Sequence, residues 1–154
     1  FDLSGPLAEL AGRGAREETI GLWLETADLF VVGEVAAESY LGCAGREAAE
    51  ELRSRGADRV AVTAGANGAV LGDREGIHEL PAFEVPVADE TGAGDAYVAA
   101  LIDRWVIGGD DVREAGRFAA AAAALNVTGD GARGGVATRA DVESFLAERA
   151  ADDR

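Results

Sequence analysis

The apolar positions of this chain follow two rhythms. In the first half, short solid runs alternate with helix-spaced stripes. Phe1-Asp2-Leu3 reads as the tail of a strand, closed by the turn Ser4-Gly5-Pro6. Glu17 to Thr26 predicts a helix with Ile20, Leu22, Trp23 and Leu24 inward, and Leu29-Phe30-Val31-Val32 predicts a short buried strand. Helices are expected at about 35–41 and 46–55, with Gly56 placed as a C-cap, and Arg59-Val60-Ala61-Val62-Thr63 reads as the next strand. Ala69-Val70-Leu71, Gly76 to Leu80 and Phe83-Glu84-Val85 are short runs between turn residues, as in hairpins.

From Gly94 onward the helical period returns. Ala96 to Ile107 is apolar on nearly every face until Asp103-Arg104, which predicts a deeply buried helix stopped by Gly108-Gly109. Val112, Ala115, Ala119, Ala122 and Leu125 form the inner stripe of another helix, and a last one, about Arg139–Arg149, turns Val142, Phe145 and Leu146 inward. Strand–helix alternation followed by helices implies one α/β domain with a mainly parallel central sheet. The start is abrupt, and the chain contains no methionine. A piece of a longer protein, with a preceding half missing, is therefore expected.

Composition narrows the partners. The 154 residues suffice for a core, and 48% of them are hydrophobic. A net charge of −15 repels phosphate backbones and anionic lipid, so neither nucleic acid nor a membrane is expected as partner. All 14 cationic residues are arginine. The single Cys43 forms no disulfide within the chain and fits a reducing, cytoplasmic compartment; its expected place is the core. Trp23 and Trp105 are expected in the core, His78 as a solvated side chain, and the end from Ala151 to Arg154 as a solvated tail.

The stretch Asp89-Glu90-Thr91-Gly92-Ala93-Gly94-Asp95 carries the candidate chemistry. Glycines let backbone approach an anion closely, and a helix start offers unpaired N–H groups with a partial positive charge. The amides of Gly92, Ala93 and Gly94 can cup an oxyanion while Asp95 accepts a proton from an attacking hydroxyl. Without lysine, neither a Walker loop nor a protein-kinase site can exist here. A capped helix behind a tight turn is the plainer alternative. Asn67-Gly68 could likewise be a two-residue hairpin turn, and Arg133 could approach phosphate or face solvent.

These residues resemble a known family. Asp89 to Asp95 is similar to the Asp-Thr-Thr-Gly-Ala-Gly-Asp motif of the PfkB carbohydrate and nucleoside kinases, with Glu90 for the first threonine. Ala96 to Leu101 continues the match. Val62 to Ala69 looks like that family's Thr-x-Gly-x-x-Gly nucleotide loop, and Arg117 through Ala132 resembles its terminal helix and adenine-side loop. The resemblance covers the chain but only the carboxy-terminal half of the family's fold. It implies a ribokinase-like α/β/α sandwich and ATP-dependent phosphorylation of a sugar or similar alcohol. Asp95 would be the base and the amides of Gly92, Ala93 and Gly94 the anion hole. Thr63, Gly65 and Gly68 would border the nucleotide, and Gly131 and Ala132 the adenine. Asp89, Thr91, Asn126, Gly129, Gly131 and Gly135 would hold a monovalent cation such as K+. A homodimer of the complete protein is also among these expectations.

The chain departs from the family at Asn-x-x-Glu, which serves Mg2+ and phosphate. Gly33 and Ala36 stand in those places, with Glu34 and Glu38 nearby. Three readings stay open: an active kinase; a nucleotide-binding module without catalysis, as a degenerate relative or an isolated half; or a soluble α/β fragment held by a partner.

Overall fold

A computed structural model describes residues 1–12 and 16–152. It divides into two compact units, Phe1–Ala64 with Gly68–Leu80, and Gly65–Asn67 with Pro81–Arg154.

The first unit is built on five strands: β1 (Asp2–Leu3), β2 (Phe30–Gly33), β3 (Val60–Thr63), β4 (Ala69–Gly72) and β5 (Ile77–Leu80). They lie side by side in chain order. β1, β2 and β3 run parallel, with Phe30 opposite Val60 and Val32 opposite Val62, while β4 and β5 add antiparallel. The solid apolar runs of β2 and β3 are buried at every residue but the last, the pattern of strands covered on both faces. Among the described residues this unit has the helices α1 (Leu7–Ala11), α2 (Glu17–Thr26), α3 (Glu34–Leu41) and α4 (Gly45–Ser54). Phe30, Val32, Val60 and Val62 share a core with Ile20, Leu24, Ala36, Ala37, Ala48, Ala49 and Leu52.

Sequence reading missed α1, whose start is fixed from afar: Ser39 Oγ accepts from Leu7 N–H at 2.9 Å. It also misplaced half of the α2 stripe. Ile20 and Leu24, one turn apart, are buried, whereas Leu22 and Trp23 are 60% and 45% exposed. Trp23 stacks on Phe1 with ring centres 5.6 Å apart instead of entering the core. His78 is not solvated either. Both of its ring nitrogens are buried without a hydrogen-bond partner among the described residues, and Nε2 lies 3.8 Å from Asp73 Oδ1. Cys43 is half-buried against the core, and burial pushes its thiol pKa up. Between β3 and β4, Gly65–Asn67 forms a 3-10 turn. Ala64 N–H donates to Gly68 O at 2.9 Å, and Asn67 has no positive φ, so the two-residue hairpin turn is excluded.

The second unit is helical: α5 (Ala93–Leu101), a π-helical segment Ile102–Ile107, α6 (Val112–Asn126) and α7 (Arg139–Asp152). Phe83-Glu84-Val85 is not a strand. It lies between Pro81 and Pro86, which have no N–H for a ladder. Side chains hold it instead: Phe83 packs edge-on against Phe145, and the Arg149 guanidinium donates to Glu84 O. Asp111 caps α6 by accepting from Arg113 and Glu114 N–H groups. Trp105, Val112, Ala115, Ala119 and Val142 are buried as their stripes require. α7 runs on to Asp152, so the expected tail is helical there; residues 153–154 lie outside the described part.

Candidate active site

The second unit gathers most of the candidate residues around the mouth of α5. Gly92 is the N-cap in left-handed backbone (φ +84°), the conformation that glycine adopts without strain. A second reason requires glycine there: a Cβ would stand 2.4 Å from Ala132 O. The Asp89 carboxylate fastens the approach to this turn. Its Oδ1 accepts from Thr91 N–H at 2.8 Å and its Oδ2 from Gly131 N–H at 3.1 Å. The Thr91 hydroxyl and N–H, and then the Gly131 N–H, hold the Asp89 carboxyl below its ordinary range. Gly131 (φ +74°) is the second left-handed glycine of the cluster. Val127 O accepts from both Ala88 and Asp89 N–H groups.

The three expected amides are not equivalent. Ala93 N–H donates to Glu90 O at 3.2 Å, which closes a turn. Ala93 is therefore committed internally. The N–H groups of Gly92, Gly94 and Asp95 have no partner among the described residues, and Ala96 N–H begins the helix by donating to Gly92 O. The set left without an internal acceptor is Gly92, Gly94 and Asp95. Asp95 is exposed, in the first turn of α5.

Behind α5, Asn126 is fully buried, and its Nδ2 donates to Thr91 O at 3.2 Å. The segment after α6 folds tightly on itself. A Cβ at Gly129 would meet Gly135 N at 2.4 Å, and one at Gly135 would meet Asn126 O at 2.4 Å. Asp89, Thr91, Asn126, Gly129, Gly131, Ala132 and Gly135 thus belong to one loop cluster beside Gly92. Thr63 and Gly68 flank the β3–β4 connection in the first unit.

An open cleft of about 570 Å3 extends from this mouth along α5. Gly92, Asp95, Ala96, Ala99, Ala100 and Asp103 line it at helical spacing, with Arg133 on the wall. Arg139 and Asp103 form an ion pair of 2.6 Å at its far end. Sequence reading overlooked Phe118, Asp103, Arg139 and Val142 as lining. Asp103 could have been found from its place two turns beyond Asp95 on the same face; Arg139 and Val142 depend on how α7 packs. The arrangement offers bare donors for an anion, one carboxylate beside them and an apolar floor.

For Mg2+ the residues do not fit the family's pair. Gly33 has no side chain and caps α3, and Ala36 lies in the core with 1% exposure. Glu34 is half-buried and Glu38 exposed. Among the described residues, no group of three or more His, Cys, Asp or Glu could hold a metal ion.

The backbone is that of a ribokinase-like α/β fold. It matches ribokinase of Thermotoga maritima with a TM-score of 0.76 and 28% identity, over 95% of this chain and 48% of that one. It matches a ribokinase II of E. coli, solved with ATP and Mg2+, with a TM-score of 0.78 and 25% identity over 91% and 46% of the two chains. The ATP-dependent ribose-1-phosphate kinase of Halopiger xanaduensis is 40% identical over 90 residues, 58% of this chain and 30% of that protein. Residues 18–139 match the pfkB family carbohydrate kinases, and the chain belongs to that family. It spans less than half the length of these relatives.

Proposed function

We propose that the complete protein carrying this chain transfers a phosphoryl group from ATP to a hydroxyl of a sugar or related small molecule. The observation that carries the reading is the mouth of α5, where three N–H groups lack internal partners and Gly92 and Asp95 line one cleft. Phosphoryl transfer asks a protein chiefly for positioning and charge stabilisation. The Gly92, Gly94 and Asp95 amides receive the developing charge on the transferred group. Asp95 takes the proton of the acceptor hydroxyl as that oxygen attacks phosphorus. Thr63, Gly65 and Gly68 border the nucleotide, and Gly131 and Ala132 its base. Family membership and the kinase activities of the relatives support this assignment.

A monovalent cation such as K+ would sit beside the amides, held by the Asp89 carboxylate and carbonyl oxygens of Thr91, Asn126, Gly129, Gly131 and Gly135. Hydrogen bonds already join Asp89 to Gly131 and Asn126 to Thr91. No step is assigned to Mg2+ through Gly33 or Ala36. Homodimerisation and a cytoplasmic location complete the proposal; no described helix is long and apolar enough to cross a membrane.

In Asp95→Asn, phosphoryl transfer should fall by about 10²–10⁴-fold while ATP binding persists. Undiminished turnover would remove Asp95 from the mechanism. The second reading, a nucleotide-binding module without catalysis, is favoured by Gly33 and the buried Ala36. ATP titration followed by a sugar panel separates the two: binding without any phosphorylated product selects the module.

A further inference from the structure

Asn126 is the sole buried polar residue among those described, and only half of its amide is used. Nδ2 donates across 35 residues of chain to Thr91 O, whereas Oδ1 is buried with no donor reaching it. The acceptor at Thr91 fixes which end of the amide is nitrogen. A buried amide with an unused oxygen is a poor choice for stability, since an apolar side chain of similar volume would strand nothing. The bonded carbonyl precedes Gly92 directly. Its peptide plane includes the Gly92 N–H; beyond the Ala93 N–H, which is committed to Glu90 O, the following peptides carry the Gly94 and Asp95 donors.

We infer that the Asn126 side chain is a positioning residue for phosphoryl transfer: by holding the Thr91 carbonyl it sets the direction of the Gly92, Gly94 and Asp95 N–H groups. This rests on the kinase reading above. Asn126 touches neither nucleotide nor acceptor; it acts through the Thr91–Gly92 peptide plane. Asp89 holds the same turn from the other side through Thr91 N–H, so that both ends of residue 91 are fixed. Asn126 lies at the C-terminal end of α6, within the cluster of close backbone contacts described above. A shift of the turn is therefore not absorbed locally.

The test compares Asn126→Leu and Asn126→Asp with the parent, in the complete protein at saturating ATP and sugar. Asn126→Leu should lower kcat roughly tenfold to a hundredfold, as a misplacement near 1 Å does, with the ATP dissociation constant changed less than about threefold. Asn126→Asp keeps the side-chain volume but places an acceptor against Thr91 O, so on the folded protein it should lose kcat as Asn126→Leu does, which a purely packing role would not predict. Parental kcat in Asn126→Leu overturns the inference, as does a kcat loss that follows the unfolded fraction alone. The amide chemical shifts of Gly92, Gly94 and Asp95 give a readout independent of turnover. Displaced shifts in Asn126→Leu support the positioning role even if Asp95→Asn keeps full activity, whereas unchanged shifts overturn it.

Discussion

Replacing Gly92 and Gly94 by alanine, one at a time, should have unequal effects on stability, a loss at Gly92 and none at Gly94. At Gly92 the left-handed backbone (φ +84°) costs a side-chain residue about 1–2 kcal/mol. The new Cβ would also lie 2.4 Å from Ala132 O, where ordinary contacts begin near 3.4 Å, so the 131–133 backbone must retreat by about 1 Å. Overpacking of this kind costs roughly 1–3 kcal/mol. Together Gly92→Ala should lose about 2–5 kcal/mol. Gly94 has no left-handed backbone, and its Cβ would meet nothing within 4 Å. It lies inside α5, where alanine is favoured over glycine by up to about 1 kcal/mol. Gly94→Ala should thus be neutral to slightly stabilising. Its methyl nevertheless enters the space that the proposed anion needs, so turnover should fall while the fold holds. Urea unfolding of each variant, with phosphoryl transfer measured on the folded protein, checks both arms. Equal stability losses at the two sites, or full activity in Gly94→Ala, would refute the reasoning.

Asp111→Ala should cost about 1 kcal/mol, because the carboxylate accepts from Arg113 and Glu114 N–H groups at the start of α6. A melting temperature unchanged within error would deny the cap that role. The depressed Asp89 carboxyl makes the loop cluster acid-sensitive. Its contribution is fully present above the ordinary aspartate pKa of about 3.9 and is lost as the pH falls through the lower folded value. The amide signals of Thr91 and Gly131 should move together below about pH 4, and Asp89→Asn should abolish the shared step. Independent titration of the two signals would count against the carboxylate bridge.

The sequence made the α/β class and the glycine turn ahead of α5 legible because each was encoded locally. β2 and β3 are solid apolar runs, and the glycines of 92–95 announce backbone in use. What stayed hidden depends on groups distant along the chain. Nothing near Ala93 shows that its N–H turns back to Glu90, and nothing near Asn126 shows that its amide reaches Thr91. Leu22 and Trp23 look internal by hydropathy, yet one helical face can be satisfied by Ile20 and Leu24 alone. His78 reads as a surface histidine until its strand register, opposite the buried Leu71, is known.

The π-helical segment at Ile102–Ile107 acts as a stop on a ruler. Up to Asp103, every third or fourth residue of α5 meets the cleft; past it, the widened turn breaks that count and buries Trp105 instead. Deleting a single residue between Asp103 and Ile107 should restore the α-helical count and bring Ile107 and Gly108 onto the stripe. The lined face of the cleft thus ends where the regular α-helical turn ends.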